Sequence, residues 1–521
     1  MLPVPQAVLR RLQLEQAIHS EANCWQSLIP TSPGWNLIDT NSASFSEWLR
    51  SQLAAGFAAA KQVVISARKS PSGIRPIPIW GLAERVTYKA LVDFILRNEE
   101  PLDRSIEAYQ RFSFAPLAYA RSIEPRTNGK LNLTFASSFI QYIVKTDVTA
   151  FYEYIDHEIL ASELLVRTGD NEAIDCLVSL LAEVQSRTYG IPQLLDSSDR
   201  LSDVYIDIPE RSVLRHGWPT WRFNDDFRIA TRTFGESLAA IEDLAAAMRD
   251  VGLTLSDSKT TTPKYTSYLW ENFGYHVNDE VPDEMQRLLT AEAEGDYVEG
   301  IGPIDPREAL EQISRSHTSE DPSEETRPND ILLTRVRSHE FRALRRAFGQ
   351  LIRAGVPDGL PHVIKIISYV PALTPWALRY VVKAGEQQPD QAASVIDGFV
   401  QNVSLSDWQR IWITRSISDL NLLDSASAGE QALRLSWTEN LRRTRHNPAV
   451  SAEAALALST SGLISFSDLD YGLRDEPTAL HPWYLEAIRR LYSHQMVTVK
   501  EYRAVRGEGG LFSAMLPSES S

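Results

Sequence analysis

The sequence predicts an α+β fold over residues 1–280, an acidic connection over 281–330 and an all-α helical-repeat domain over 331–521. Three observations carry that division. Strand-like and helix-like hydrophobic patterns alternate in the first part, and nearly every segment of the last part has helical periodicity. Between them "HTSEDPSEETRPND", His317 to Asp330, is acidic, contains proline and lacks large apolar residues, which reads as a linker or exposed loop. At 521 residues the chain also exceeds the roughly 250–300 at which single cores stop growing.

In the first part, "LAERVTYKALVDFILRNEE" is an amphipathic helix following a Pro-rich extended segment, and "FIQYIVKTDVTAFY" is strand-like in its β-branched and aromatic residues. "GESLAAIEDLAAAMRDVG" has an Ala/Leu face and a glycine stop, the pattern of a helix. After the linker come "ILLTRVRSHEFRALRRAFGQLIRAG", "TPWALRYVVKAG", "PDQAASVIDGFVQN", "SDWQRIWITRSIS" and "GEQALRLSWTENLRRTRH", separated by Pro, Gly or Ser/Asp starts and stops. Short helices in series predict a repeat array, although no fixed sequence period is present.

Hydrophobic content of 43% with 23% charged residues is that of a soluble globular protein, and no apolar run approaches the ~20 residues of a membrane helix. The first residues lack a basic region followed by an apolar core and cleavage site, so a cytoplasmic protein is expected. Cys24 and Cys176 are too few for a disulfide framework or a cysteine-based zinc site. No GKS/T phosphate loop, HExxH or zinc-ligand cluster appears either. A net charge of −16 argues against nonspecific coating of nucleic acid. The charge is unevenly placed: residues 1–150 carry 16 Lys and Arg against 12 Asp and Glu, net +4, and residues 151–279 carry 11 against 22, net −11. A basic segment followed by an acidic one suggests a phosphate-binding surface next to a site for divalent cations.

The stretch "WRFNDDFRIA" sets Asp225 beside Asp226 within an aromatic and aliphatic strand pattern. Adjacent carboxylates either mark an exposed hairpin tip, where they cost nothing, or need a cation. Asp147, 78 residues before Asp225, ends another apolar strand pattern; it is either a helix N-cap or a third carboxylate of the same site. Hard Mg²⁺ takes oxygen ligands, usually one or two carboxylates plus substrate phosphates. Two such ions about 4 Å apart can activate an attacking hydroxyl and stabilise a leaving pyrophosphate.

Five segments in order, from Val63 to Tyr275, resemble the motifs of the reverse transcriptases. "DVTAFY" resembles the first catalytic motif, with Asp147 as the metal-binding aspartate and Tyr152 as the bulky residue that screens the sugar 2′ position. "FNDD" resembles the catalytic hairpin. "GIPQLLDSSDRLSDVY" is similar to the Gly-x-Pro-Gln segment, placing Gln193, and Ser198, Leu201 and Tyr205 also match. "GLTLSDSKT" resembles the motif whose lysine, here Lys259, lies near the incoming triphosphate, and "ARKSPSGIRPIPI" is similar to the fingers motif, with Arg68 or Lys69 and Arg75 as phosphate-binding candidates. The resemblance implies a right-hand polymerase, fingers and palm, in the first 280 residues. It implies Asp147, Asp225 and Asp226 as catalytic ligands of Mg²⁺ or Mn²⁺, and dNTPs as substrates.

Three departures stand out. Leu194 replaces the glycine that follows Pro-Gln and precedes an acidic "LLDSSDRLSD"; Asn224 is larger and more polar than the small residue usual before the two aspartates; and no basic thumb helix is evident after Tyr275. In these respects, and in its helical-repeat half, the chain resembles the bacterial abortive-infection and defence-associated reverse transcriptases. That resemblance implies antiphage defence and homo-oligomeric assembly, and the lack of a long apolar run gives the expectation of no membrane partner. It also implies DNA synthesis primed by a protein hydroxyl, with product joined to a tyrosine, and either untemplated or copied from a dedicated noncoding RNA. Asp196, Asp199 and Asp203 are expected to place negative charge along a path for phosphates.

Other residues admit two readings. Tyr152 is the sugar gate or a core aromatic beside Phe151, and its five-residue offset from Asp147, which matches the reverse-transcriptase motif it resembles, favours the gate. Arg75 binds phosphate or is a solvated strand residue. His157 reads as a helix-start residue and not as a catalyst. Arg442, Arg443 and Arg445 in "LRRTRH" either follow a nucleic-acid backbone or cap a helix C-terminus. Trp408 and Trp412, at i and i+4, read as packing residues. The rival functions are an RNA-synthesising polymerase, opposed by the bulk of Tyr152, and a catalytically weak palm-plus-repeat scaffold that binds nucleic acid or a partner protein.

Overall fold

The computed structural model describes residues 2–24, 28–69, 73–123, 139–273, 338–401, 404–424, 428–443 and 447–516. They are mostly helical, with two small antiparallel sheets. One is a hairpin of β1 (Val63–Lys69) and β2 (Gly73–Ile79); the other joins β3 (Tyr142–Thr146), β4 (Thr220–Phe223) and β5 (Asp226–Thr231) in the order β3-β5-β4. The chain divides into two compact units, one from the described residues of 95–182 and 187–302, the other from those of 1–94, 183–186 and 303–521. The acidic stretch His317 to Asp330, and the whole 281–330 connection, lie outside the described residues. Among the described residues no helix is long and apolar enough to cross a membrane.

The unit containing the aspartates is built on the three-stranded sheet. The helices used below are α1 (Ile106–Ile123), α2 (His157–Thr168), α3 (Asp196–Arg215), α4 (Phe234–Asp250) and α5 (Tyr265–Phe273). Ile143, Val144, Phe227 and Ile229 of the strands are fully buried, and Leu117, Tyr268 and Leu269 close over Ile143 and Ala230. Helix α2 starts where Asp156 accepts hydrogen bonds from the N–H groups of Glu158 and Ile159, and it stops at Gly169, whose φ of +72° suits glycine. Helix α4 starts the same way, with the Thr233 side chain accepting from Glu236 N–H. On α3 the buried residues Ser198, Leu201, Ser202 and Tyr205 recur at helical spacing, so the residues that matched the Gly-x-Pro-Gln segment pack inward.

Phe223 pairs with Asp226 across the β4–β5 hairpin, leaving Asn224 and Asp225 as a two-residue turn. Asn224 has φ of +55°, a conformation asparagine tolerates better than most non-glycine residues. The aspartate pair is therefore at a hairpin tip, the geometry of the plainer reading, with only partial exposure to solvent. Along the free edge of β3 runs the segment from Thr254 to Lys264, bridged at Val148 to Leu255, Lys145 to Thr261 and Tyr142 to Lys264. This lays "GLTLSDSKT" beside "DVTAFY".

The second unit contains β1 and β2 and the later helices. Val63, Ile65 and Ala67 alternate inward along β1. The helices used below are α6 (Ser338–Ala354), α7 (Thr374–Gly385), α8 (Pro389–Val400), α9 (Asp407–Asp419), α10 (Ala428–Arg443), α11 (Pro448–Thr460) and α12 (His481–Ser493). Helices α6, α7, α9, α11 and α12 pack each on the next, and α8 and α10 pack on one another and against that row. Trp408 and Trp412 are buried, and both indole N–H groups donate to the Leu28 carbonyl, at 2.5 and 3.1 Å. These are packing contacts, as their spacing predicted.

Candidate active site

Strand β3 delivers Asp147, whose carbonyl accepts the Ser256 N–H at 2.8 Å and whose residue is 6% exposed. The Lys259 ammonium, from the segment on the same edge, donates to the Asp147 carboxylate. Asp225 and Asp226 arrive from the β4–β5 turn. Burial, together with the charges of Asp147 and Asp226, pushes Asp225 up to about 7, against the pull of Lys259. Asp226 is raised as well, by burial and by Asp147, opposed by Arg228 at 3.9 Å. Partial burial works against the Lys259 charge, but its bond to Asp147 and the charges of all three carboxylates hold its pKa above the ordinary value. Segments 78 and 112 residues from Asp147 thus converge on it.

Three carboxylates facing one ammonium leave a surplus of negative charge, and their oxygens are the donors hard divalent cations take. Among the described residues no three His, Cys, Asp or Glu side chains are gathered closely enough to enclose a metal ion. The donor set fits an ion shared between one or two carboxylates and a substrate's phosphates, with Asp147 and Asp225 as the protein's share.

The hairpin is held from both sides. Phe223 is buried against Tyr109 and Phe112, with ring centroids 5.3 and 6.0 Å apart. Arg222 donates to Asp203 at 2.7 Å and to Glu210 at 2.6 Å, tying β4 to α3.

Tyr152 follows Asp147 through Ala150 and a short 3₁₀ turn, Phe151–Glu153. Its hydroxyl donates to Asp199 Oδ1 at 2.6 Å and accepts from both Arg104 Nη atoms at 3.3 Å. Arg104 in turn pairs with Asp199 at 3.1 Å. Burial and the neighbouring Asp199 push the phenol well above its usual range. Asp199 and Asp203 are therefore paired within the unit, with Arg104 and Arg222, and do not present a continuous acidic path as the sequence suggested. Arg104 was missed in the sequence, where it is a lone arginine in "PLDRSIEAY" with no pattern to single it out.

Gln193 is half-buried on the segment leading into α3, and nearby Ile191 N–H donates to the Tyr152 carbonyl at 2.8 Å, joining the two motifs through backbone. Leu194 has φ of +68°: the leucine keeps the left-handed backbone that the expected glycine would adopt freely. Six non-glycine residues among those described have positive φ, and three of them, Ala150, Leu194 and Asn224, lie one in each of "DVTAFY", "GIPQLL" and "FNDD". Backbone strain of this kind costs of order 1–3 kcal/mol per residue and clusters at functional sites.

The remaining candidates lie in the other unit. Arg68 pairs across the hairpin with Ile74, Lys69 with Gly73 and Arg75 with Ala67; Arg68 and Lys69 are exposed and Arg75 is partly buried. In the last turn of α10, Arg442 pairs with Asp468 at 3.3 Å and Arg443 with Glu439 at 3.2 Å. Arg445 lies outside the described residues. His157, in the unit of the aspartates, is the first residue of α2, as read from the sequence.

No protein-family profile and no curated protein matches the chain. Among solved structures it is similar to the telomerase of Candida tropicalis in complex with the TWJ fragment of telomeric RNA, at 13% identity and a TM-score of 0.26 over 77% of this chain and 67% of that one. It is likewise similar to the telomerase of Candida albicans with the same RNA fragment, at 10% identity and a TM-score of 0.24 over 72% and 63%. Superpositions this loose carry no functional conclusion, which has to come from the site.

Proposed function

We propose that the chain is a divalent-cation-dependent nucleotidyltransferase of reverse-transcriptase type that synthesises DNA from dNTPs. The observation supporting it is the convergence of Asp147, Asp225, Asp226 and Lys259 from three distant segments. In this reading Asp147 and Asp225 hold Mg²⁺, or Mn²⁺, and Asp226 supports them. When bound, the metal neutralises phosphate charge and lowers the pKa of the attacking hydroxyl. That hydroxyl oxygen bonds to the α-phosphorus, its proton passes to water, and the bond from the α-phosphorus to the pyrophosphate oxygen breaks. Lys259, kept protonated by its carboxylate neighbours, offers a charge and a proton to the leaving phosphate. The Tyr152 ring excludes a ribose 2′-hydroxyl, Gln193 lies on the segment expected to meet the new base pair, and Arg68, Lys69 and Arg75 bind phosphates.

The finer reading is that of a defence-associated reverse transcriptase acting against phage as a homo-oligomer in the cytoplasm. It copies a dedicated noncoding RNA or works untemplated, and it starts from a tyrosine hydroxyl that stays joined to the product. The hydroxyls of Tyr152, Tyr205 and Tyr268 each donate to an acceptor inside the unit, Asp199, the Val251 carbonyl and the Ser113 carbonyl, so in this reading priming falls on another of the 18 tyrosines. The Lys259–Asp147 bond favours one alternative: a catalytically weak palm in which the ammonium takes the place of a cation.

Incorporation of labelled dNTPs separates the two. The polymerase reading expects incorporation with Mg²⁺, none with EDTA, and none from Asp147→Ala with either. Absence of incorporation by the unmodified protein selects the scaffold, and equal incorporation by the variant overturns Asp147 as a metal ligand.

A further inference from the structure

The phenol of Tyr152 is held at its far end. Asp199, in the first turn of α3, accepts its proton at 2.6 Å; Arg104 reaches the same oxygen with both Nη atoms at 3.3 Å; and Ser202, one turn along α3, approaches at 3.4 Å. The partners also hold one another. Arg104 pairs with Asp199 Oδ1 at 3.1 Å and reaches its carbonyl at 3.4 Å, and Ser202 Oγ donates to that carbonyl at 2.8 Å. Arg104 Nε is buried without a hydrogen-bond partner among the described residues. A guanidinium that leaves one donor unsatisfied while aiming the others at a tyrosine is placed for the tyrosine. Packing of the ring would need none of these groups: Phe151, next to it, is buried with no polar anchor.

We propose that Arg104 and Asp199 are positioning residues that set sugar selectivity by fixing the Tyr152 ring. This rests on the nucleotidyltransferase reading of the site. A tyrosine ring screens a 2′-hydroxyl only while it stays in one orientation. Free rotation about χ1 and χ2 would open the space for part of the time, and a hydroxyl locked from α3 and from Arg104 prevents that. Because Asp199 begins five residues after Leu194, the clamp also ties the ring to the Pro-Gln segment.

The test compares kcat/KM for dNTP and rNTP, with the same base and Mg²⁺, in wild type, Tyr152→Phe, Asp199→Ala, Asp199→Asn and the Tyr152→Phe/Asp199→Ala double variant. Tyr152→Phe keeps the bulk of the ring and loses only the clamp. Each of Tyr152→Phe and Asp199→Ala is expected to lower the dNTP preference by roughly tenfold, the scale of one lost discriminating contact. The double variant should fall no further than either single one, and Asp199→Asn, which still accepts from the hydroxyl, should recover part of the preference. Asp199→Ala also leaves Arg104 without its charge partner, so should it fail to fold, Tyr152→Phe, which alters one exchangeable hydroxyl, decides. A wild-type ratio in Tyr152→Phe, or additive losses in the double variant, overturns the clamp while leaving the polymerase reading intact. A wild type that incorporates neither nucleotide overturns both.

Discussion

Leu194 shows how a single residue can depart from a motif and keep its geometry. Its φ of +68° costs a leucine roughly 1–2 kcal/mol relative to a right-handed conformation. Glycine would remove that strain but lose the half-buried side chain, and valine would keep apolar bulk while being the worst residue for a positive φ. Thermal melting is therefore expected to rank Leu194→Gly close to wild type and Leu194→Val several degrees lower. The reverse order, which hydrophobicity alone would give, would mean that the backbone angle carries no strain. The same scale explains what could be read in advance. Asp147, Asp225 and Asp226 were legible because each sits in a short local pattern that ends a strand. Arg104 and Arg222 were not, because an arginine whose partner lies 95 or 19 residues away leaves no periodic trace. The acidity of "LLDSSDRLSD" misled for the same reason: composition counts charges and does not show which are already paired.

At the scale of elements, starts and stops were the most readable feature. The Gly-terminated helix from Phe234 to Asp250, the helices from Thr374 to Val400 and the pair of tryptophans in "SDWQRIWITRSIS" fall where periodicity and capping residues put them. The strand expected through "FIQYIVKTDVTAFY" is shorter than the pattern. It ends at Thr146, because the left-handed Ala150 and the 3₁₀ turn redirect the chain to bring Tyr152 under Asp199. Helix α2 yields a pH prediction. His157 is buried, its Nε2 lies 2.6 Å from the Gly190 carbonyl, and burial lowers its pKa below the ordinary value. Above about pH 6.5 the ring is neutral in both states and has no effect. Below it the unfolded chain takes up a proton that the folded one resists, so stability falls, by at most about 1.4 kcal/mol per pH unit. Urea denaturation at pH 7.5 and 5.5 should show a larger loss for wild type than for His157→Gln. Parallel losses would place the titration elsewhere.

For the whole molecule, pairings distant in sequence decide what the site can be. Asp147 meets Lys259 from 112 residues away, and in the other unit Trp408 meets Leu28 from 380 away; neither contact has a local signature. The helical array was visible as a succession of helices, but its packing in alternate order, α6 to α7 to α9 to α11, follows from which faces are apolar once folded. The function turns on whether the convergent carboxylates do chemistry. Asp225→Asn keeps the shape of the turn and removes one of the three carboxylates that a cation would meet. The decisive measurement is the rate of labelled dNTP incorporation in Mg²⁺ by wild type and Asp225→Asn, with circular dichroism to show that both are folded. The predicted result is robust incorporation by wild type and at least a hundredfold loss, on the order expected for removing a metal ligand, in a variant that melts no lower. Equal rates from two equally folded proteins would contradict it.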